Sequence, residues 1–539
     1  MKKLVFLFLA GFLILVFGAT GYAQEAKLDF RASGFIDAQT HYATNVPPIN
    51  VGFIPIYNSF APAYRSFNAA GQPINALDKK TGYWSSRMHL AFDAVMGKEI
   101  TGRVQFELDA GKFGSPPLTG PPPFGPPGAQ FREAGVNGYW SADRTGVKIK
   151  YTYIDFALPY FGIPVPMTMR AGIQPLAIRP FFFVGTDGTG VTGGINLDPL
   201  MLNPLYFKPL EGLDWVADDC DVYGLHASLK LGEFKLGGYG LFYNLNSYPL
   251  WVATSQGFTI PSSLYAYLNG TQTANFAWLG FYADGKAGPI NINFDVAYDW
   301  GRAKSHLTPT TVAPNVKYSG WAARARIDYP WEKWNFGVTG MYASGSDTEK
   351  TSSSGLPGTT VQSGASPAST TVSTKVNGWM VPVGSEMGAV NNESAVFYGM
   401  EAGATPQGIA INHNYDQVNK GGFGGTWFAK LYTSYKVAPF YKLTLQGLYI
   451  GDTTKHGNTF GNALYRDGTL RDNKDIGWEF DWINEFQLYK NLVFKLWGGY
   501  MWAGDAMDFW TGTRNAAGQP INFSMKNPWA IRSRLLYTF

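Results

Sequence analysis

The 539 residues include one cysteine, Cys220, so the chain can form no internal disulfide, no cysteine-rich zinc site and no covalently attached c-type haem. Beyond the first 23 residues there is no run of about 18 apolar residues, the length from which a spanning helix is read. An excess of charge is missing as well. Without the two lysines of the leader, 41 Lys and Arg stand against 39 Asp and Glu, and this balance points neither to nucleic acid nor to an acidic partner. The six histidines form no H-E-x-x-H or paired spacing, and no G-x-S-x-G elbow occurs. The cluster Asp218, Asp219, Asp221 lacks the spacing of a calcium loop. "GTGVTG" (188 to 193) matches a dinucleotide pattern, but the run after it is broken by Pro199 and Pro204 and cannot supply the helix that pattern needs. No catalytic residue, metal ligand or cofactor is therefore expected, and the chain is not read as an enzyme.

Residues 1–23 read as a secretory signal peptide, with a charged start "MKK", an apolar core and a small-x-small site before Gln24. Residues 24–539 then form one exported domain, because no linker divides them.

What the chain has in quantity is glycine and aromatic residues: 64 Gly, 38 Phe, 31 Tyr and 17 Trp, spread throughout. They fall into stretches of period two. In "NPWAIRSRLLYTF", Trp529, Ile531, Ser533, Leu535, Tyr537 and Phe539 take one side, and Ala530, Arg532, Arg534, Leu536 and Thr538 the other. The same alternation sets Phe294, Val296, Tyr298 and Trp300 against Asp295 and Asp299, and Trp478, Phe480 and Trp482 against Glu479 and Asp481. Each run is about ten residues, enough to cross a bilayer as a tilted strand.

The connections alternate in length. Short turns are expected at 97–99, 160–164, 232–233, 287–289, 330–333, 438–440 and 490–491. Between them lie long polar segments at 43–82, 111–145, 179–221, 245–274, 302–316, 344–423, 452–473 and 504–524. Fifteen connections imply about sixteen strands, with fourteen to eighteen allowed by weak patterns near 234–243 and 276–284. The expected fold is all-β: a single closed antiparallel transmembrane barrel of the outer membrane, with short periplasmic turns and long extracellular loops. The Ser/Thr/Gly-rich stretch 344–385 is expected to be a mobile surface loop.

The terminal Phe539, with Tyr537, Leu535 and Ile531 before it, resembles the closing strand of Gram-negative outer-membrane porins. That resemblance implies that Tyr537 and Phe539 are read by the outer-membrane assembly machinery, and it allows a homotrimer. It also implies an aqueous channel for small hydrophilic solutes, surrounded by outer-membrane lipid. "DIGWEFDWINEFQLYKNLVFKLWGGYMWAGD" is loosely similar to hairpins of polysaccharide- or alginate-export barrels. Alternative roles are therefore polysaccharide passage, or a sheath around a separate cytochrome electron carrier.

With apolar rows toward lipid, the other rows face the lumen. Arg31, Arg87, Arg103, Lys148, Lys150, Arg170, Arg532 and Arg534 then form a basic wall on neighbouring strands, and Arg324 and Arg326 a second basic spot. Asp93, Glu107, Asp295, Glu479 and Asp481 are the expected lumen acids. In general porins, which the layout resembles, a third external loop folds inward with acids opposite a basic ladder. Carried over, this makes Glu211, Asp214, Asp218, Asp219 and Asp221 of the 179–221 segment the acids of a constriction, in a channel that leans toward anions. Arginines that merely solvate a wide polar wall remain the alternative.

Overall fold

The computed structural model describes residues 28–45, 80–112, 147–158, 165–180, 182–211, 219–248, 272–305, 316–347, 375–382, 385, 393–398, 424–459, 461 and 463–539. Twenty-one strands lie in these residues: Leu28–Thr44 (β1), Lys80–Met96 (β2), Ile100–Lys112 (β3), Val147–Ala157 (β4), Met167–Ile178 (β5), Val184–Asn196 (β6), Leu200–Leu210 (β7), Cys220–Leu231 (β8), Phe234–Tyr248 (β9), Gln272–Ala287 (β10), Ile290–Ser305 (β11), Val316–Trp331 (β12), Trp334–Ala343 (β13), Lys375–Val376 (β14), Thr426–Ala438 (β15), Tyr441–Asp452 (β16), Asp475–Tyr489 (β17), Leu492–Ala503 (β18), Phe509–Arg514 (β19), Pro520–Phe523 (β20) and Trp529–Thr538 (β21). β19 and β20 pair only with each other, and β14 is a two-residue parallel addition to β12. The other eighteen strands pair antiparallel with their neighbours around a closed ring, because β1 pairs with both β2 and β21. In hydrocarbon an unpaired strand edge has no water to satisfy it, so closure is what lets such a sheet span a bilayer.

Strand parity separates the two solvents. On β21, Ile531 is 41% exposed and Arg532 only 3%; on β11, Trp300 is 43% exposed and Asp299 1%. Large apolar side chains on the outer rows form the lipid-facing surface, and the charged rows line the interior. Both chain ends of the barrel lie on the side of the short turns, such as Gly232–Glu233 and Gly288–Pro289, which is the periplasmic side of an outer-membrane barrel.

Eighteen strands stand at the upper end of the expected range. The extra pair lies in the segment 179–221, which is not one long loop: β6 and β7 cross the wall there. Five glycines in β6 and Pro204 and Pro209 in β7 carry loop-like composition. Pro204 has no N–H for the ladder, and the Asn203 side chain donates to Gly193 O at 3.1 Å beside it. Gly188–Gly193 thus lies within a strand and not at a helix N-terminus. The turn expected at 160–164 lies outside the described residues.

Closure also explains the terminal phenylalanine. Gly34 N–H donates to Phe539 O at 2.9 Å and Phe539 N–H to Gly34 O at 3.1 Å. A Cβ on Gly34 would lie 2.2 Å from His89 O and 2.9 Å from the Phe539 ring, so this seam is built around a residue without a side chain. Gly34→Leu is expected to cost roughly 1–3 kcal/mol through overpacking, seen as a lower urea midpoint in micelles, while Ala32→Leu on the same outward row leaves it unchanged.

Candidate functional site

Two pieces of the chain occupy the interior of the barrel. The first is the far end of the β5–β6 hairpin. Pairing of β5 with β4 stops at Ile173, and pairing of β6 with β7 begins only at Thr189, so Gln174–Ile178 and Val184–Gly188 have only each other as strand partners. Freed from the wall, the hairpin turns inward and buries Leu176, Ile178, Phe182, Phe183 and Val184. Phe183 packs against Tyr239, with ring centroids 4.4 Å apart.

Arg179 at its tip, in the left-handed region with φ 48°, reaches strands five places further round the barrel. Its guanidinium donates to Asp295 at 2.5 and 2.7 Å and to Asp284 at 2.6 and 3.1 Å, and it lies 4.4 Å from the Tyr282 ring centroid. Burial alone lowers the arginine pKa, but the two carboxylates outweigh it and the pKa is raised. Asp295, an expected lumen acid, is thus the anchor of this hairpin.

The second piece is made of the described residues of the segment 375–398, which falls partly in the stretch expected to be a mobile surface loop. Among them Trp379, Met380, Val381, Phe397 and Tyr398 are buried. Trp278 Nε1 donates to Met380 O at 2.7 Å, and Met380 N–H donates to Asp299 Oδ1 at 3.1 Å. Gly185 N–H donates to Ser385 Oγ at 3.2 Å, which ties the segment to the hairpin. Further along, Ala395 N–H donates to Asp481 Oδ2 at 3.0 Å, while Val396 and Phe397 N–H donate to the two Glu479 oxygens at 2.6 and 2.9 Å. Glu479 and Asp481 therefore face inward yet are sealed under the segment and do not line open water. A Cβ on Gly499 would fall 1.9 Å from Asp481 Oδ1, so the wall opposite Asp481 has to be glycine.

Glu393 belongs to the same segment and was not visible as a site residue, since nothing in its local sequence points inward. Its carboxylate meets Arg324 at 2.5 Å and also pairs with Lys430, and Gln446 Nε2 donates to its backbone oxygen at 3.0 Å. Burial pushes this carboxyl up, but Lys430 and Arg324 outweigh it and hold the pKa down at about 2. The second basic spot is thus divided: Arg324 clamps the segment, and Arg326 pairs with Asp328 at 2.8 Å and donates to Tyr432 OH at 2.8 Å.

The opposite side, β1 to β5 with β18 and β21, carries the expected basic wall, and most of it is matched by acids. Arg103 meets Asp93 at 2.6 Å, Arg170 meets Asp155 at 2.6 Å and Arg534 meets Asp37 at 2.9 Å. Glu107 gathers His89 at 2.6 Å, Lys150 at 3.2 Å and Arg87 at 3.9 Å. Arg31 pairs with Asp29 at 2.9 Å in an exposed position near the short-turn end. Lys148 stands opposite Glu107 in register, and Arg532 is buried.

A bulge opposite Gln105–Phe106 resets the parity of β4, so Lys150 and Tyr151 turn the same way. Both donate to Asp187 of the inserted hairpin, at 2.7 and 2.8 Å. The hairpin meets the basic wall at this point.

Of the expected constriction acids, the three that are described do not face the basic wall. Glu211 is exposed and pairs with Lys208, as does Asp219 at 3.5 Å. Asp221 accepts from Tyr206 OH at 2.8 Å on the outer row of β8, between inward Cys220 and Val222, because β7 and β8 are wall strands there. Asp214 and Asp218 lie outside the described residues.

No family model matches the chain, and no curated protein matches it. Solved structures to which it is similar include three proteins of Pseudomonas aeruginosa. OpdQ is 11% identical over 95% of this chain and 98% of that one, with a TM-score of 0.44. OccK8 (OprE) is 10% identical over 95% and 98%, with 0.46. The outer membrane protein OpdK is 10% identical over 94% and 99%, with 0.43.

Glu393→Gln leaves Arg324 and Lys430 buried without their acid and is expected to weaken docking of the segment by roughly 3–5 kcal/mol, read as lost hydrogen-exchange protection at Ala395–Tyr398. Because the folded pKa of Glu393 lies below its ordinary 4.5, its stabilisation is complete above about pH 4.5 and is lost as pH falls toward about 2. Protection that is flat from pH 7 to 5 and falls steeply below 4 in the unmodified protein is the expected profile.

Proposed function

We propose that the chain is an outer-membrane channel through which small hydrophilic solutes diffuse, passing between the inserted hairpin and the β1–β4 wall. The observation that carries this reading is the contact of Lys150 and Tyr151 with Asp187. It brings a polar face of the hairpin against a polar wall, whereas the hairpin's other face is packed in apolar side chains. A polar seam of this kind admits water and ions where the apolar packing does not.

Selectivity in this reading comes from charge. Arg87, Arg103, Lys148, Lys150, Arg170, Arg532 and Arg534 face Asp37, Asp93, Glu107, Asp155 and Asp187, seven cations to five carboxylates. That surplus favours anions, and the paired lattice sets a transverse field that orients polar solutes. Binding and release need no bond made or broken. A sheath around a separate electron carrier requires a bore free of the chain's own residues, and the packing of the hairpin and the 375–398 segment favours the channel instead.

Single-channel recording in a planar bilayer with a salt gradient tests this. An ohmic conductance with an anion-leaning reversal potential is expected, and Lys150→Ala together with Arg87→Ala should move that potential toward cations by several millivolts, about the scale of losing two charges from a shared field. A barrel that never conducts, or a reversal potential that stays put in the double variant, counts against the reading.

A further inference from the structure

One group of lysines on inward rows makes no ion pair among the described residues. Lys230 on β8, Lys235 on β9 and Lys286 on β10 all fall on inward rows at the short-turn end: Lys230 shares parity with buried Ser228 and Val222, Lys235 with buried Tyr239 and Leu241, and Lys286 with buried Tyr282 and Trp278. Lys230 stands directly opposite Lys235 in the β8–β9 register, and Lys235 directly opposite Asp284 in the β9–β10 register. Asp284, however, is already occupied by Arg179 and by the Asn293 amide. None of the three ammonium groups has a side-chain hydrogen bond or ion pair among the described residues, whereas Lys150, Lys430 and Arg179 all do.

Like charges directly opposite each other on neighbouring strands are destabilising. Here the pair is retained, and a third lysine joins it around a cavity of about 580 Å³ that Ser228 and Asn291 also line. Two carboxylates line it as well, Glu233 of the β8–β9 turn and Asp284, and Asp284 is already engaged by Arg179, so three lysines face two acids of which one is paired.

We infer that this cavity binds a multiply charged oxyanion of the phosphate class at the periplasmic mouth, held by Lys230, Lys235 and Lys286. Three compact ammonium groups suit a tetrahedral anion carrying more than one charge, because each acts as a point charge and no planar fork is required. Two sources share this chemistry: a phosphate-bearing solute in the lumen, and a phospholipid headgroup of the inner leaflet. Only the identity of a lumen solute depends on the channel reading; the binding itself does not.

The test uses the full chain in an uncharged, phosphate-free detergent, titrated with inorganic phosphate and followed by calorimetry. Saturable binding is expected, weakened by about tenfold or more in Lys230→Gln/Lys235→Gln and unchanged in Lys98→Gln, a lysine of another periplasmic turn. No heat of binding in the unmodified protein, or equal affinity in the double variant with its barrel intact by heat-modifiable gel mobility, would overturn the site. Competition by phosphatidylglycerol in reconstituted bilayers identifies the headgroup as occupant, and its failure to compete identifies a soluble anion; both outcomes support the site. A barrel that binds phosphate yet carries no current would sink the channel reading alone.

Discussion

Every other feature of this molecule depends on one constraint: a backbone in hydrocarbon has to satisfy all of its N–H and C=O groups internally. A sheet meets it only by closing, here where β21 returns to β1 through the register Phe35↔Thr538 to Thr44↔Trp529. Closure fixes two surfaces, and the period-two side-chain rule then assigns each residue of a strand to lipid or to lumen. Ile531 and Arg532 are neighbours in sequence and belong to different solvents.

The lumen so created is not uniform. Between β8 and β16 the inward rows carry Tyr239, Tyr243, Phe276, Trp278, Tyr318 and Phe428, and these would face water in an empty barrel. Burying a large aromatic side chain is worth on the order of 2–3 kcal/mol relative to exposure, so this half of the wall favours something that covers it. The chain supplies the cover itself from the β5–β6 hairpin and the 375–398 segment. Polar anchors then fix the register of that cover: backbone N–H groups donate to Asp299, Glu479 and Asp481, and Glu393 joins Arg324 and Lys430. Apolar burial brings the segments in, and the charged contacts determine where they stop. On the β1–β5 side the inward tyrosines Tyr151 and Tyr153 sit among paired charges, and the lattice stays polar.

The residues that could be read from the sequence are those whose signal is local. Alternation placed Arg532, Asp295, Glu479 and Asp481 inward, and the strand–turn–strand rhythm gave a closed barrel. What Glu479 and Asp481 do could not be read, because the backbone N–H groups they hold, at Ala395, Val396 and Phe397, lie more than eighty residues away in a stretch without strand periodicity. β6 and β7 were hidden for a different reason. A strand with five glycines and a strand with two prolines have the composition of a loop, and only the neighbours' hydrogen bonds make them wall. The bulge in β4 is likewise a property of pairing, and without it Lys150 and Tyr151 would point to opposite faces.

Arg179 connects the two sides of the lumen. By crossing the lumen to Asp284 and Asp295 it holds the hairpin away from its own neighbours and so leaves the seam along Asp187 and Lys150 polar. The same contact withdraws Asp284 from Lys235, which stands opposite it in register. An arginine is suited to this double role because its fork engages two carboxylates at once, which a lysine cannot do with comparable geometry. The consequence is local: Asp284 is paired with Arg179, and Lys235 beside it makes no ion pair among the described residues. One side chain at the tip of a glycine-rich strand pair thus decides both where the hairpin rests and which acid Lys235 is denied.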